Sequence, residues 1–90
     1  MSTEGLAPHD HVIFTEFDEG EGILVDLNTK KYFQLNETGV LVWRGLEKGL
    51  SLEEIVGQMT TAYDVTQEHA AESVSKLLDN LSAHRLVRTD

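Results

Sequence analysis

The apolar residues of this chain change their spacing once, near residue 36, and that change limits the possible folds more than any other feature. Upstream they recur at every second position, as side chains do on one face of a strand. Downstream they recur every three to four positions, as on one stripe of a helix. With 90 residues the chain has room for one small core. Strands and helices must therefore share that core in an α+β domain rather than form separate layers.

Residues 1–10 show no periodicity and hold the only proline, so they read as a flexible arm ahead of a domain spanning 11–90. Residues 11–17 are rich in β-branched and aromatic types and read as a first strand. Acids and glycines at 18–22 make a turn. Residues 23–27 form a second strand, with Ile23, Val25 and Leu27 on one face. Asn28–Thr29 is expected to turn the chain, since asparagine tolerates positive φ. Residues 31–35 form a third strand, with Phe33 and Leu35 on one face and Tyr32 and Gln34 on the other. Asn36 then caps a helix that Gly49 stops. Ser51 and Glu54 make the capping box of a second helix. The third runs from about residue 66 to His84, with Ala70, Val74, Leu77, Leu78 and Leu81 as its apolar stripe. Leu86 and Val87 close the chain as an extended tail. The expected core is Val25, Leu27, Phe33, Leu35, Val40, Trp43, Ile55, Met59, Val74, Leu77, Leu78 and Leu81. A three-stranded antiparallel sheet followed by three helices is winged-helix-like, with the strands placed before the helices.

Charge and composition remove several functions. Sixteen acids against seven bases give a net charge of −9. The first 27 residues hold seven acids and no Lys or Arg. Nucleic-acid affinity comes largely from cationic side chains that displace phosphate counterions. Residues 66–84 offer only Lys76 against Glu68, Glu72 and Asp79, so a winged-helix regulator that binds nucleic acid is the weaker alternative. An anionic membrane is disfavoured for the same reason. The absence of cysteine removes a disulfide scaffold, thiolate metal ligands and a thiol nucleophile. No apolar run approaches a membrane span, and no basic-plus-apolar leader opens the chain, so a cytoplasmic protein is expected.

Residues able to carry chemistry do not converge. His9, Asp10 and His11 sit in or beside the arm, while His69 and His84 lie fifteen positions apart on the third helix. A closed metal site needs three or four ligands brought together. The serines lack a nucleophile-elbow context, the glycines lack phosphate-loop spacing, and the glutamate pairs lie on polar helix faces. No catalytic group, metal or cofactor is expected. A binding surface remains. In a three-stranded meander the first and third strands are edges, and an edge strand offers unpaired backbone groups to another chain. Lys30 and Lys31 open the third strand and suit acidic residues of a peptide laid along it. Such binding is β-augmentation: backbone bonds give affinity and side-chain pockets give specificity. The same edge, or exchange of the hairpin, permits a homodimer.

The stretch Asp26-Leu-Asn-Thr-Lys-Lys-Tyr-Phe-Gln-Leu-Asn36, then Gly39 and Trp43, then Gly49-Leu-Ser-Leu-Glu-Glu-Ile55, Tyr63-Asp-Val65 and Leu77-Leu-Asp-Asn-Leu81 with Leu86-Val87, resembles the PqqD-like family. That family is named for pyrroloquinoline quinone biosynthesis protein D, and it supplies peptide-recognition elements in pathways for ribosomally made, modified peptides. The resemblance spans about residues 11–88. It departs at the turn before Tyr32, often glycine-bearing in relatives and Asn28-Thr29-Lys30 here. It implies a non-catalytic module without a cofactor that takes a precursor's leader peptide as an extra strand on the third strand. Lys30, Lys31, Tyr32, Phe33, Gln34 and Leu35 would form the strand wall of the groove. Glu68, His69, Glu72, Ser73 and Lys76 would form its helix wall, supported from beneath by Val74 and Leu77. The module would present the peptide to a separate modifying enzyme, such as a radical enzyme, a cyclase or a leader peptidase.

Overall fold

The structure, a computed structural model, describes residues 6–17 and 20–89. Its order is β1 (Leu6–Pro8), β2 (Val12–Glu16), β3 (Gly22–Asp26), β4 (Lys31–Leu35), α1 (Glu37–Glu47), α2 (Leu52–Ala62), α3 (Gln67–Ala83) and β5 (Val87–Thr89). β2, β3 and β4 form one antiparallel sheet in that order, with β3 in the centre. The three-stranded sheet followed by three helices is the α+β arrangement expected from the change of period.

The helix ends follow from local chemistry. The Asn36 side chain accepts the Gly39 amide at 2.9 Å and caps α1. Ser51 and Glu54 satisfy each other's backbone amides at the start of α2. Thr66 caps α3 through the His69 amide. α1 ends with Gly49 at φ 74°, and the Leu50 amide reaches back to the Gly45 carbonyl. α3 ends in the same way with Arg85 in the glycine position, at φ 56°. The Leu86 amide then bonds the Leu81 carbonyl at 2.9 Å, and both side chains are buried.

One face of the sheet packs on the helices. Leu24, Leu35, Val40, Val42, Trp43, Leu46, Ile55, Val56, Met59, Ala70, Val74, Leu78, Leu81, Leu86 and Val87 form a continuous core, with Phe33 and Leu77 half-buried against it. The expected face of β3 is reversed. Leu24 is wholly buried, whereas Val25 is half-buried and Leu27 is 43% exposed. Register explains this: Leu24 lies opposite Phe33 and Phe14, and Gly22 opposite Leu35, so the even positions face the helices. The third even position is Asp26, a buried carboxylate, and its polarity made that face look like the solvent side.

Two further expectations are corrected. The hairpin turn spans four residues, and the positive φ (65°) falls on Lys30, not Asn28. Residues 6–8, read as part of a flexible arm, pair as β1 with β5. The backbone of Leu86 adds a bond from the His9 amide at 3.0 Å. Residues 1–5 of the arm and residues 18–19 of the first turn lie outside the described residues.

Candidate functional site

The order of the sheet leaves β4 as an edge, with no further strand beyond it among the described residues. Its outward backbone groups follow from alternation. In an antiparallel pair, successive residues of the central strand point their amide and carbonyl to opposite neighbours. The Leu27 amide bonds the His11 carbonyl at 2.9 Å, so the odd positions of β3 serve β2. The even positions, Gly22, Leu24 and Asp26, therefore serve β4, and their register partners are Leu35, Phe33 and Lys31. Tyr32 and Gln34 are left with backbone groups directed away from the sheet.

The turn that starts this edge is held by Asp26. Its Oδ1 accepts the Asn28 amide at 2.9 Å and the Thr29 amide at 3.2 Å, with His11 Nε2 at 3.7 Å. Burial raises the Asp26 carboxyl, but the two amides and His11 together outweigh it and hold it below the ordinary 3.8. Lys30 and Lys31 therefore stand on a turn of defined geometry, both exposed.

Beside the end of β4 the surface sinks into two depressions. One, of about 460 Å³, is lined by Glu21, Gln34, Leu35, Asn36, Gly39 and Leu77. The other, of about 330 Å³, is lined by Asn36, Thr38, Val42, Met59, Ser73, Lys76, Leu77 and Asn80. They share Asn36 and Leu77, and so form one groove with an apolar floor and a polar rim. At the middle of β4, Phe33 meets the His84 ring edge-on at 4.8 Å, while Leu35 at its end shares a depression with Leu77, one to two turns back along α3. β4 and α3 thus run in opposite directions along the groove.

Of the expected strand wall, Gln34 and Leu35 line the groove, Tyr32 is 72% exposed on the outer face, and Phe33 faces the helices. Of the expected helix wall, Ser73 and Lys76 line it. Glu68, His69 and Glu72 are exposed and belong to neither depression, and Glu72 pairs with Lys76 at 3.2 Å. Val74 is wholly buried beneath, whereas Leu77 is half-buried and forms part of the floor itself. Sequence reasoning missed Asn36, Thr38, Gly39 and Asn80. Asn36 caps the first turn of α1 and Thr38 and Gly39 lie in it as its donors, and this capping arrangement hid their position at the groove.

A third depression, of about 410 Å³, adjoins the groove at Glu21, Asn36, Glu37, Thr38 and Tyr63. Tyr63 donates to Glu37 Oε2 at 3.4 Å, and burial followed by the Glu37 charge raises its phenol. Elsewhere the His9 and His11 rings lie 4.5 Å apart, tilted by 40° to each other. Among the described residues no three His, Asp or Glu side chains are placed to hold a metal, and no helix is long and apolar enough to cross a membrane.

A small winged-helix-like domain with an open strand edge above a helix-walled groove is the class of protein that this fold and site define. The chain belongs to the family of Coenzyme PQQ synthesis protein D (PqqD), which matches residues 21–87. It is similar to the solved structure of TbiB1 in complex with the TbiA(beta) leader peptide. The TM-score is 0.84 at 29% identity over 91% of this chain and 94% of that one. It also has the fold of lasso peptide synthetase B1, solved with its leader peptide. There the TM-score is 0.84 at 23% identity, over 93% of this chain and 98% of that one. A comparison with curated proteins finds no match.

Proposed function

We propose that this chain is a non-catalytic module that captures the leader region of a ribosomally made precursor peptide. The peptide adds to β4 as an antiparallel strand and is presented to a separate modifying enzyme. The observation that carries this reading is the open edge of β4, with the Tyr32 and Gln34 backbone groups free to pair above an apolar groove. Family membership and the leader-bound TbiB1 structure support it. In this reading Tyr32 and Gln34 supply the backbone bonds. Phe33 holds the strand to the core, and Leu35 and Leu77 receive an apolar peptide side chain. Lys30 and Lys31 attract acidic residues at one end, while Ser73 and Lys76 form the opposite rim. Glu68 and His69 extend the helix wall past the groove and meet only a longer peptide, while Glu72 holds Lys76. Tethering peptide and enzyme on one module raises their effective concentration, so the chain needs no chemistry of its own. The enzyme is a separate modifying enzyme such as a radical enzyme, a cyclase or a leader peptidase, and the work is cytoplasmic, where precursors are translated.

A random-peptide library displayed on phage supplies binders whatever the sequence of the natural precursor. Amide shifts of the isotope-labelled chain on adding a selected peptide are expected along residues 30–36 and on α3 from Ser73 to Asn80. Gln34→Pro and Tyr32→Pro are expected to abolish binding while the domain stays folded, since each removes only an outward donor. Shifts confined to β2 or to residues 6–11, with normal binding by both proline variants, overturn the reading.

A further inference from the structure

Three glycines lie inside helices of this chain, and each meets different surroundings. A methyl group at Gly57 meets nothing within 4 Å. One at Gly45 runs into Ile55 at 2.7 Å, a contact between α1 and α2 in the core. One at Gly39 lies 3.2 Å from Leu35 Cβ and Cδ2 and 3.3 Å from Asn36 Oδ1. Among the described residues only Gly20 and Gly49 are glycines with positive φ, so the Gly39 backbone would accept any residue. Glycine is a poor choice within a helix on backbone grounds. Its reason at position 39 must lie in space.

That space opens on the groove. Gly39, Leu35 and Asn36 all line the 460 Å³ depression beside β4. Leu35 is 5% exposed and packed into the core on its other side. A close-packed interior does not yield, so a side chain at position 39 displaces Leu35 in the one direction that is open, into the depression. We infer that Gly39 is the residue that sets the size of peptide side chain this groove accepts. It lets Leu35 lie flat against α1 and leaves the depression deep enough for a large apolar side chain. Gly39 is a positioning residue that acts through Leu35. The inference rests on the peptide-binding reading above.

The test is a comparison of selections from the displayed random-peptide library. The wild-type chain is expected to enrich a large apolar residue at one position of the bound segment. Gly39→Ala is expected to shift that position alone toward alanine or valine, changing the preference for the larger residue by about tenfold. Leu35→Val is expected to shift it toward larger residues. Leu35→Val combined with Gly39→Ala moves a methylene from one wall to the other and is expected to restore the wild-type preference. That pair of variants decides the matter even if Gly39→Ala alone fails to fold. Gly45→Ala serves as the control that lowers stability without changing the preference. Identical selections from all folded variants, with binding still lost in Gln34→Pro, overturn the role of Gly39 and leave the peptide-binding reading standing. Peptides that bind the Gln34→Pro and Tyr32→Pro variants normally overturn strand addition on β4, the reading on which the inference rests, instead.

Discussion

At the scale of single residues, two side chains in the β3–β4 turn carry opposite costs. Lys30 holds φ at 65°, a left-handed conformation that strains any residue with a Cβ. Lys30→Gly is expected to raise unfolding stability by about 0.5–1 kcal/mol, read from the urea midpoint, because the relief exceeds the added freedom of the unfolded chain. Asp26 offsets that strain while it is ionised. Its carboxyl is depressed in the folded chain, so the stability it lends is present above the unfolded value and is lost as pH falls through the folded one. The Asn28 and Thr29 amide shifts are therefore expected to titrate together with a midpoint below 3.8, and Asp26→Asn to abolish that titration. The carboxylate at position 26 was plain in the sequence. Its burial was not, because nothing local signals that an aspartate will cap the turn that follows it.

At the scale of elements, the caps were legible and the sheet face was not. Asn36, Ser51, Glu54 and Gly49 act within one or two turns of the chain, so their chemistry can be read from neighbours. The parity of β3 cannot. Residues 23–25 are apolar on both faces, and register with β2 and β4 decides which one faces the helices. The three helical glycines separate the same way. Gly57→Ala is expected to add about 0.5–1 kcal/mol in thermal or urea unfolding, as it gains helix propensity at an exposed site with no clash. Gly45→Ala is expected to cost about 1–3 kcal/mol, because the methyl presses on Ile55. On β4, Phe33→Pro is expected to lower stability, unlike the substitutions at Tyr32 and Gln34, since Phe33 pairs inward with Leu24. Equal unfolding midpoints for all three proline variants would show that the assignment of inward and outward amides is wrong.

At the scale of the whole molecule, Trp43 is the largest fully buried side chain, and its Nε1 has no hydrogen-bond partner among the described residues. Trp43→Ala is expected to cost about 3–5 kcal/mol, most of the stability of so small a domain. Trp43→Phe is expected to cost much less, since it keeps most of the apolar volume and removes the orphan donor. Net charge also acts at this scale. With −9 overall and an acidic α3, a low-salt anisotropy titration is expected to show no binding to duplex DNA, and salt-sensitive micromolar binding would refute that. The sequence alone determined the order of the three sheet strands and the three helices, the caps of α1 and α2 and the apolar stripes of the helices, because each depends on residues a few positions apart. It also placed β4 at an edge, through the short turns of a meander. The tertiary structure alone decided that Leu24 and not Val25 enters the core, and that Tyr32 and Gln34 point their amides outward. It alone joined residues 6–8 to residues 87–89, and made the first turn of α1 a wall of the groove beside α3. Each of these depends on a register or a contact between segments far apart in the chain, and no local pattern encodes such a pairing.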